Sequence, residues 1–118
     1  MGFVHVNVGI SNPERIRLQE DVELPVDSGA MLSLVPRRIL EVLGVSPIGR
    51  RRFRGFGGIV ERDTGVVVMS FDGAVAGVTV ICGEEDDPSV MGVTALETLG
   101  YQVDPDTGEL SPTEMLQL

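Results

Sequence analysis

Three tripeptides in this chain share the form Asp-(Ser/Thr)-Gly: Asp27-Ser28-Gly29, Asp63-Thr64-Gly65 and Asp106-Thr107-Gly108. An aspartate can serve as general acid or base. A neighbouring hydroxyl can hold the loop that carries it, and a glycine permits tight backbone geometry and close approach of a substrate. Flanking residues separate the three. Asp63 follows Glu61-Arg62 and precedes Val66, the composition of a hairpin tip. Asp106 follows Asp104-Pro105 and precedes Gly108, a turn between two short strands. Both are expected in water, as ordinary anions. Asp27 instead ends an apolar strand and is followed at once by Ala30, Leu32, Leu34 and Val35. A carboxylate so placed is expected to be partly desolvated and to titrate abnormally, as a catalytic carboxyl must. A structural aspartate capping a turn has the same local features, and the residues around it do not choose between the two.

The elements that must position Asp27 are short. Phe3, Val4, Val6, Val8 and Ile10 predict a first strand, and Asn12-Pro13-Glu14 a turn. Ile16, Leu18, Val22, Leu24 and Val26 fall on even positions, predicting a second strand whose apolar face looks inward and which runs up to Asp27. Leu32 to Val35 reads as a short strand, followed by a helix that opens at Pro36 and stops at Gly44. Gly49 to Gly58 is rich in Arg and Gly. Val66–Phe71 and Ala74–Cys82 read as strands around an Asp72-Gly73 turn, and Val93–Leu99 as a helix closed by Gly100. Tyr101–Val103 and Glu109–Leu110 read as a final pair of strands. The expected fold class is mainly β with one or two short helices, in a single domain over residues 1–118.

Composition agrees. The chain has 118 residues, enough for one domain, with 42% hydrophobic residues and only 4% aromatics, so the core must be aliphatic. Fifteen glycines and seven prolines favour short strands. The net charge of −9 argues against nucleic-acid binding. Charge is uneven: Arg50 to Arg62 holds five Arg and one Glu, whereas Asp63 onward holds eleven acids and no base. One cysteine cannot make an internal disulfide. No signal peptide and no apolar run of membrane-spanning length is evident, so a cytoplasmic chain is the expectation.

The sequence resembles the retropepsin-like aspartic proteases, single-domain relatives of the retroviral proteases, and among them the small cellular members found in prokaryotes. Val26-Asp27-Ser28-Gly29-Ala30 matches that family's apolar-Asp-(Thr/Ser)-Gly-Ala loop. Val90-Met91-Gly92 with the helix from Val93 matches its apolar-apolar-Gly element. The run from Gly100 to Leu110 looks like the tail of the cellular members. The resemblance implies a closed β-barrel of the acid-protease kind, one lobe per chain, and aspartic endopeptidase activity without a cofactor or metal. Peptide hydrolysis by this route needs two carboxyls sharing a proton, and the chain supplies one suitable Asp, so a homodimer with Asp27 from each subunit is implied. By resemblance Ser28 would bond across the two-fold axis, and Gly29, Ala30 and Met91 would line the substrate. Residues 49–70 would form a flap, with Phe53, Gly55, Phe56, Gly57, Gly58 and Ile59 closing over an extended peptide or unfolded protein segment. Retroviral members place an acid after the loop Ala and an Arg after the later Gly, which pair with each other. Here those positions are Met31 and Val93. The alternative they motivate is a peptide-binding or dimerisation module on the same fold without useful catalysis.

Other motifs carry less. Gly55-Phe56-Gly57-Gly58 is followed by a strand, not the helix a phosphate loop needs. Arg50-Arg51-Arg52-Phe53-Arg54 reads as a solvated arm beside the flap, the alternative being contact with nucleic acid or an acidic peptide; an acidic substrate would fit the patch. Glu84-Glu85-Asp86-Asp87 lacks the alternating spacing and central Gly of a calcium loop. His5 is expected to be structural, and Cys82 a small buried hydrophobe.

Overall fold

The computed structural model describes residues 4–55, 57–104 and 106–114. Strand β1 (His5–Asn12) turns at Pro13-Glu14 into β2 (Arg15–Pro25), with the Glu14 N–H donating to the Asn12 side-chain oxygen at 2.9 Å. Strand β3 (Ser33–Pro36) leads into helix α1 (Arg37–Val42). Strands β4 (Gly49–Gly55) and β5 (Gly58–Phe71) form a hairpin, and β5 continues through Asp72-Gly73 into β6 (Ala74–Gly83). Both turn residues have positive φ, 48° and 85°, as a two-residue hairpin of primed type requires. Helix α2 (Val93–Leu99) ends on Gly100 in the left-handed conformation, and β7 (Tyr101–Val103) pairs with β8 (Leu110–Pro112). The fold is mainly β with two short helices, as the pattern of apolar residues predicts.

The main sheet runs β2-β1-β5-β6-β3, with β4 pairing to the outer part of β5. Register sets the core. Val6 opposes Leu24, and Ile10 opposes Met69, which in turn opposes Ala76. Residues directly opposite share a face, so one face of the sheet is a continuous aliphatic surface. Leu40 from α1 and Ala95, Leu96 and Leu99 from α2 join the same core, as does Cys82, whose thiol is pushed up by burial. Phe71 and Tyr101 meet edge-on at 5.1 Å, and the Tyr101 hydroxyl donates to Asp72, tying the terminal hairpin to the sheet.

Three expectations change. No continuous ladder closes the sheet into a barrel among the described residues. Its two edges are joined instead by single bridges, Val26 to Met91 and Leu34 to Val90. Ile16 and Leu18, expected inside, are each 61% exposed. The reason is a bulge: the register jumps from Ser11–Gln19 to Asn12–Arg15, which leaves residues 16–18 outside the alternation. Asp63-Thr64-Gly65, expected at a hairpin tip, lies inside β5, and Thr64 is only 3% exposed. The tip falls between Gly55 and Gly58, because Gly49 pairs with Thr64 and the ladder counts outward from there.

Ion pairs hold the hairpin root. Arg37 at the start of α1 reaches Asp63 at 3.0 Å and Glu84 at 3.3 Å, and Arg50 reaches Asp63 at 3.1 Å and Glu61 at 3.4 Å. Arg62 holds Asp87 bidentately at 2.7 and 2.9 Å, and the Glu84 N–H adds a third donor to that carboxylate. The acidic 84–87 loop thus has two of its carboxylates bound to arginine. Arg37 and then Arg50 hold the Asp63 carboxyl below its ordinary range, and Arg62 does the same for Asp87.

Two outcomes follow for stability. Leu24→Ala removes a fully buried side chain and should cost about 2–5 kcal/mol in urea unfolding. A carboxyl whose folded value is depressed contributes stability above its unfolded value near ~3.9 and loses it as pH falls through the folded value. The stability gap between wild type and Asp87→Asn should therefore be full at pH ~6 and shrink steadily as pH falls below about 4. A gap independent of pH would contradict the Arg62–Asp87 assignment.

Candidate active site

The loop after β2 is pinned from below by one residue. The Met91 N–H donates to the Pro25 carbonyl at 2.8 Å, and the Asp27 N–H donates to the Met91 carbonyl at 3.0 Å. Asp27 therefore leaves the sheet in a fixed direction. It then closes its own turn: the Gly29 N–H donates to Asp27 Oδ1 at 2.9 Å, and the Ala30 N–H to the Asp27 carbonyl at 3.1 Å. Asp27 and Ala30 are half-buried, and Ser28 and Gly29 are exposed. Asp27 is thus partly covered as a residue, and its Oδ1 already holds one main-chain donor.

The second support is the start of α2. The N–H groups of Val93 and Thr94 donate to the carbonyls of Ala30 and Met31 at 2.9 and 3.0 Å. The two positions that carry opposite charges in retroviral enzymes are here braced through main chain, with Met31 left 73% exposed.

Beneath the loop, Ser33 is 1% exposed. Its hydroxyl accepts the Gly92 N–H at 2.9 Å and donates to Met91 Sδ at 3.6 Å. Gly92 has no room for a side chain, because a Cβ there would meet Leu32 C at 2.5 Å and Ser33 N at 2.8 Å. Sequence reasoning passed over Ser33. The available signal was a lone hydroxyl inside the apolar run of residues 32–35.

Sites expected from sequence divide into three groups. Asp27, Ser28, Gly29 and Ala30 form one loop. Met91, expected to touch substrate, is 0% exposed and offers it no side-chain surface; its role is the main-chain splint just described. Phe53, Gly55, Gly57, Gly58 and Ile59 lie on the β4–β5 hairpin, where Phe53 is half-buried, the three glycines are exposed and Ile59 is 54% exposed. Phe56 lies outside the described residues. Among the described residues, no hydrogen bond or ion pair joins positions 53–59 to positions 27–30. His5 is exposed at the start of β1.

A cavity of about 520 Å³ lies between α1 and the 84–89 loop, but no residue of the 27–31 loop lines it. Two of its walls, Arg37 and Glu84, are paired with each other. Among the described residues, no group of His, Cys, Asp and Glu is placed to hold a metal ion, and no helix is long and apolar enough to cross a membrane.

No protein-family model and no curated protein sequence matches the chain. Among solved structures, it is similar to the retroviral protease-like domain of Ddi1 from Leishmania major. The TM-score is 0.61 at 19% identity, over 98% of this chain and 91% of that one. The fold is retropepsin-like. At that identity the likeness speaks for the arrangement of strands and helices. Within the retropepsin-like fold of this chain, the chemistry of the loop rests on its own residues.

Gly92→Ala should strain the contact with Leu32 and Ser33, lowering the thermal midpoint and loosening the 27–31 loop. Hydrogen exchange at the Asp27 and Val93 amides should rise well before exchange in β5 and β6 does. Unchanged protection at those amides would contradict the splint.

Proposed function

We propose that the chain is an aspartic endopeptidase that works as a homodimer, with Asp27 of each subunit forming the catalytic pair. The observation that carries this reading is the loop itself. A half-buried aspartate is aimed by main-chain bonds from Met91, beside exposed Ser28 and Gly29, on a retropepsin-like fold. One chain offers one such carboxyl, and the reaction needs two. The exposed Ser28 and Met31 beside it give a second copy a surface to meet.

In the dimer the two Asp27 carboxyls share one proton. The ionised one takes a proton from a water as its oxygen bonds to the scissile carbonyl carbon. The protonated one gives its proton to the carbonyl oxygen. As the tetrahedral diol collapses, the carboxyl that took the water's proton gives it to the leaving nitrogen, the C–N bond breaks, and the other carboxylate takes a proton from one diol hydroxyl, which restores the shared proton. No cofactor enters these steps. Gly29 presents main chain to the peptide, and Ser28 bonds across the axis to lock the two loops. The β4–β5 hairpin acts as a flap: Gly55, Gly57 and Gly58 let its backbone come close, Ile59 supplies apolar cover on one face and Phe53 packs on the other, and closure excludes bulk water.

A second reading, a binding module without catalysis, is favoured by one feature: the acid–Arg pair of retroviral enzymes is replaced by Met31 and Val93. Asp27→Asn decides between them. It should lower cleavage of an unfolded protein substrate by at least about 100-fold, the lower end of what a positioned acid–base group contributes, while sedimentation still shows a dimer. Cleavage that survives the change, or a strict monomer at high concentration, contradicts the shared pair. Peptide binding by a wild type that cleaves nothing between pH ~3 and ~7 supports the second reading.

A further inference from the structure

The arginines of the hairpin divide into two sets. At its root three carboxylates are already taken: Asp63 by Arg37 and Arg50, Glu61 by Arg50, and Asp87 by Arg62. Farther out, Arg51, Arg52 and Arg54 are exposed, and none has an acidic partner among the described residues. Glu61, which stands directly across from Arg52 in the ladder, turns to Arg50 instead. The hairpin is therefore neutralised at its root and cationic toward its tip, on a chain whose net charge is −9.

Alternation puts Arg52 and Arg54 on one face with Glu61 and Ile59 opposite, and Arg51 on the other face, across from Arg62. Residues two apart on a strand have their Cα atoms about 6.7 Å apart. Alternate side chains of any extended peptide repeat at the same distance. An exposed Ile59 beside Arg54 adds apolar surface to that face.

We propose that Arg52 and Arg54 select substrates, favouring an extended peptide that carries carboxylates at alternate positions. The proposal rests on the reading of the hairpin as the substrate flap. Nucleic acid is the poorer fit, because the basic residues cluster most densely on one hairpin and the remainder of the chain is strongly acidic.

The test uses two labelled peptides identical except for Glu or Gln at two alternate positions. Binding is read by fluorescence anisotropy on the Asp27→Asn protein, and cleavage on the wild type. The Glu peptide should bind roughly fivefold more tightly for two exposed charge pairs, with the advantage shrinking as salt rises. Arg52→Gln with Arg54→Gln should bind the two peptides equally. Arg51→Gln, which removes a charge from the opposite face, should keep the preference. Equal binding by the unmodified hairpin overturns the proposal, and so does loss of the preference in Arg51→Gln, which would make it an effect of net charge. An oligothymidylate that binds as tightly as the Glu peptide through the same two arginines also overturns it, as a general polyanion site. Equal binding with both peptides cleaved leaves the protease intact and removes only the selectivity. Preferential binding of the Glu peptide with no cleavage does the reverse.

Discussion

The structure turns on the main-chain splint at Met91. One residue accepts from Asp27 and donates to Pro25, while its neighbour Val90 exchanges bonds with Leu34 of β3. Those few bonds do two things. They join the two edges of a sheet that has no continuous ladder to close it, and they fix where the Asp27 carboxylate leaves the fold. The arrangement tolerates little change because it is close-packed at the backbone. Gly92 sits against the Leu32–Ser33 peptide, and Ser33 is buried with its hydroxyl engaged on both sides. A free buried hydroxyl would be costly, and this one has both a donor and an acceptor.

A second consequence concerns charge. Retroviral-type loops use an acid–Arg pair near this point, and here main-chain donors from α2 occupy the carbonyls of Ala30 and Met31. The ion pairs lie instead at the root of the hairpin, where they link α1, β4, β5 and the 84–87 loop. The 27–31 loop is braced by groups that do not titrate near neutrality. The hairpin root depends on carboxylates that must stay ionised.

Much of this was legible from residue order alone. Asp27 stood apart from Asp63 and Asp106 because apolar residues flank it, and the structure half-buries it. The helices at 37–42 and 93–99 were marked by Pro36 and Gly100. The Asp106 turn was also read correctly: Asp104 Oδ1 accepts from the amides of Asp106 and Thr107. What was lost was long-range. Asp63-Thr64-Gly65 has turn composition, and only its pairing with Gly49 and Ile81 makes it strand. Ile16 and Leu18 keep a period of two, but a bulge in the ladder takes them off the inner face. Met91 was singled out beside the loop as a substrate-lining residue, yet spacing could not show that it is buried and bonds the loop through main chain.

The central claim is that each chain holds half a site. Asp27→Asn subunits mixed with wild type at constant total concentration, and allowed to exchange, test it most directly. If both aspartates of a dimer are required, peptidase activity falls as the square of the wild-type fraction, because only dimers with two intact subunits work. Activity that falls in simple proportion to the wild-type fraction would mean that one chain suffices, and would contradict the account.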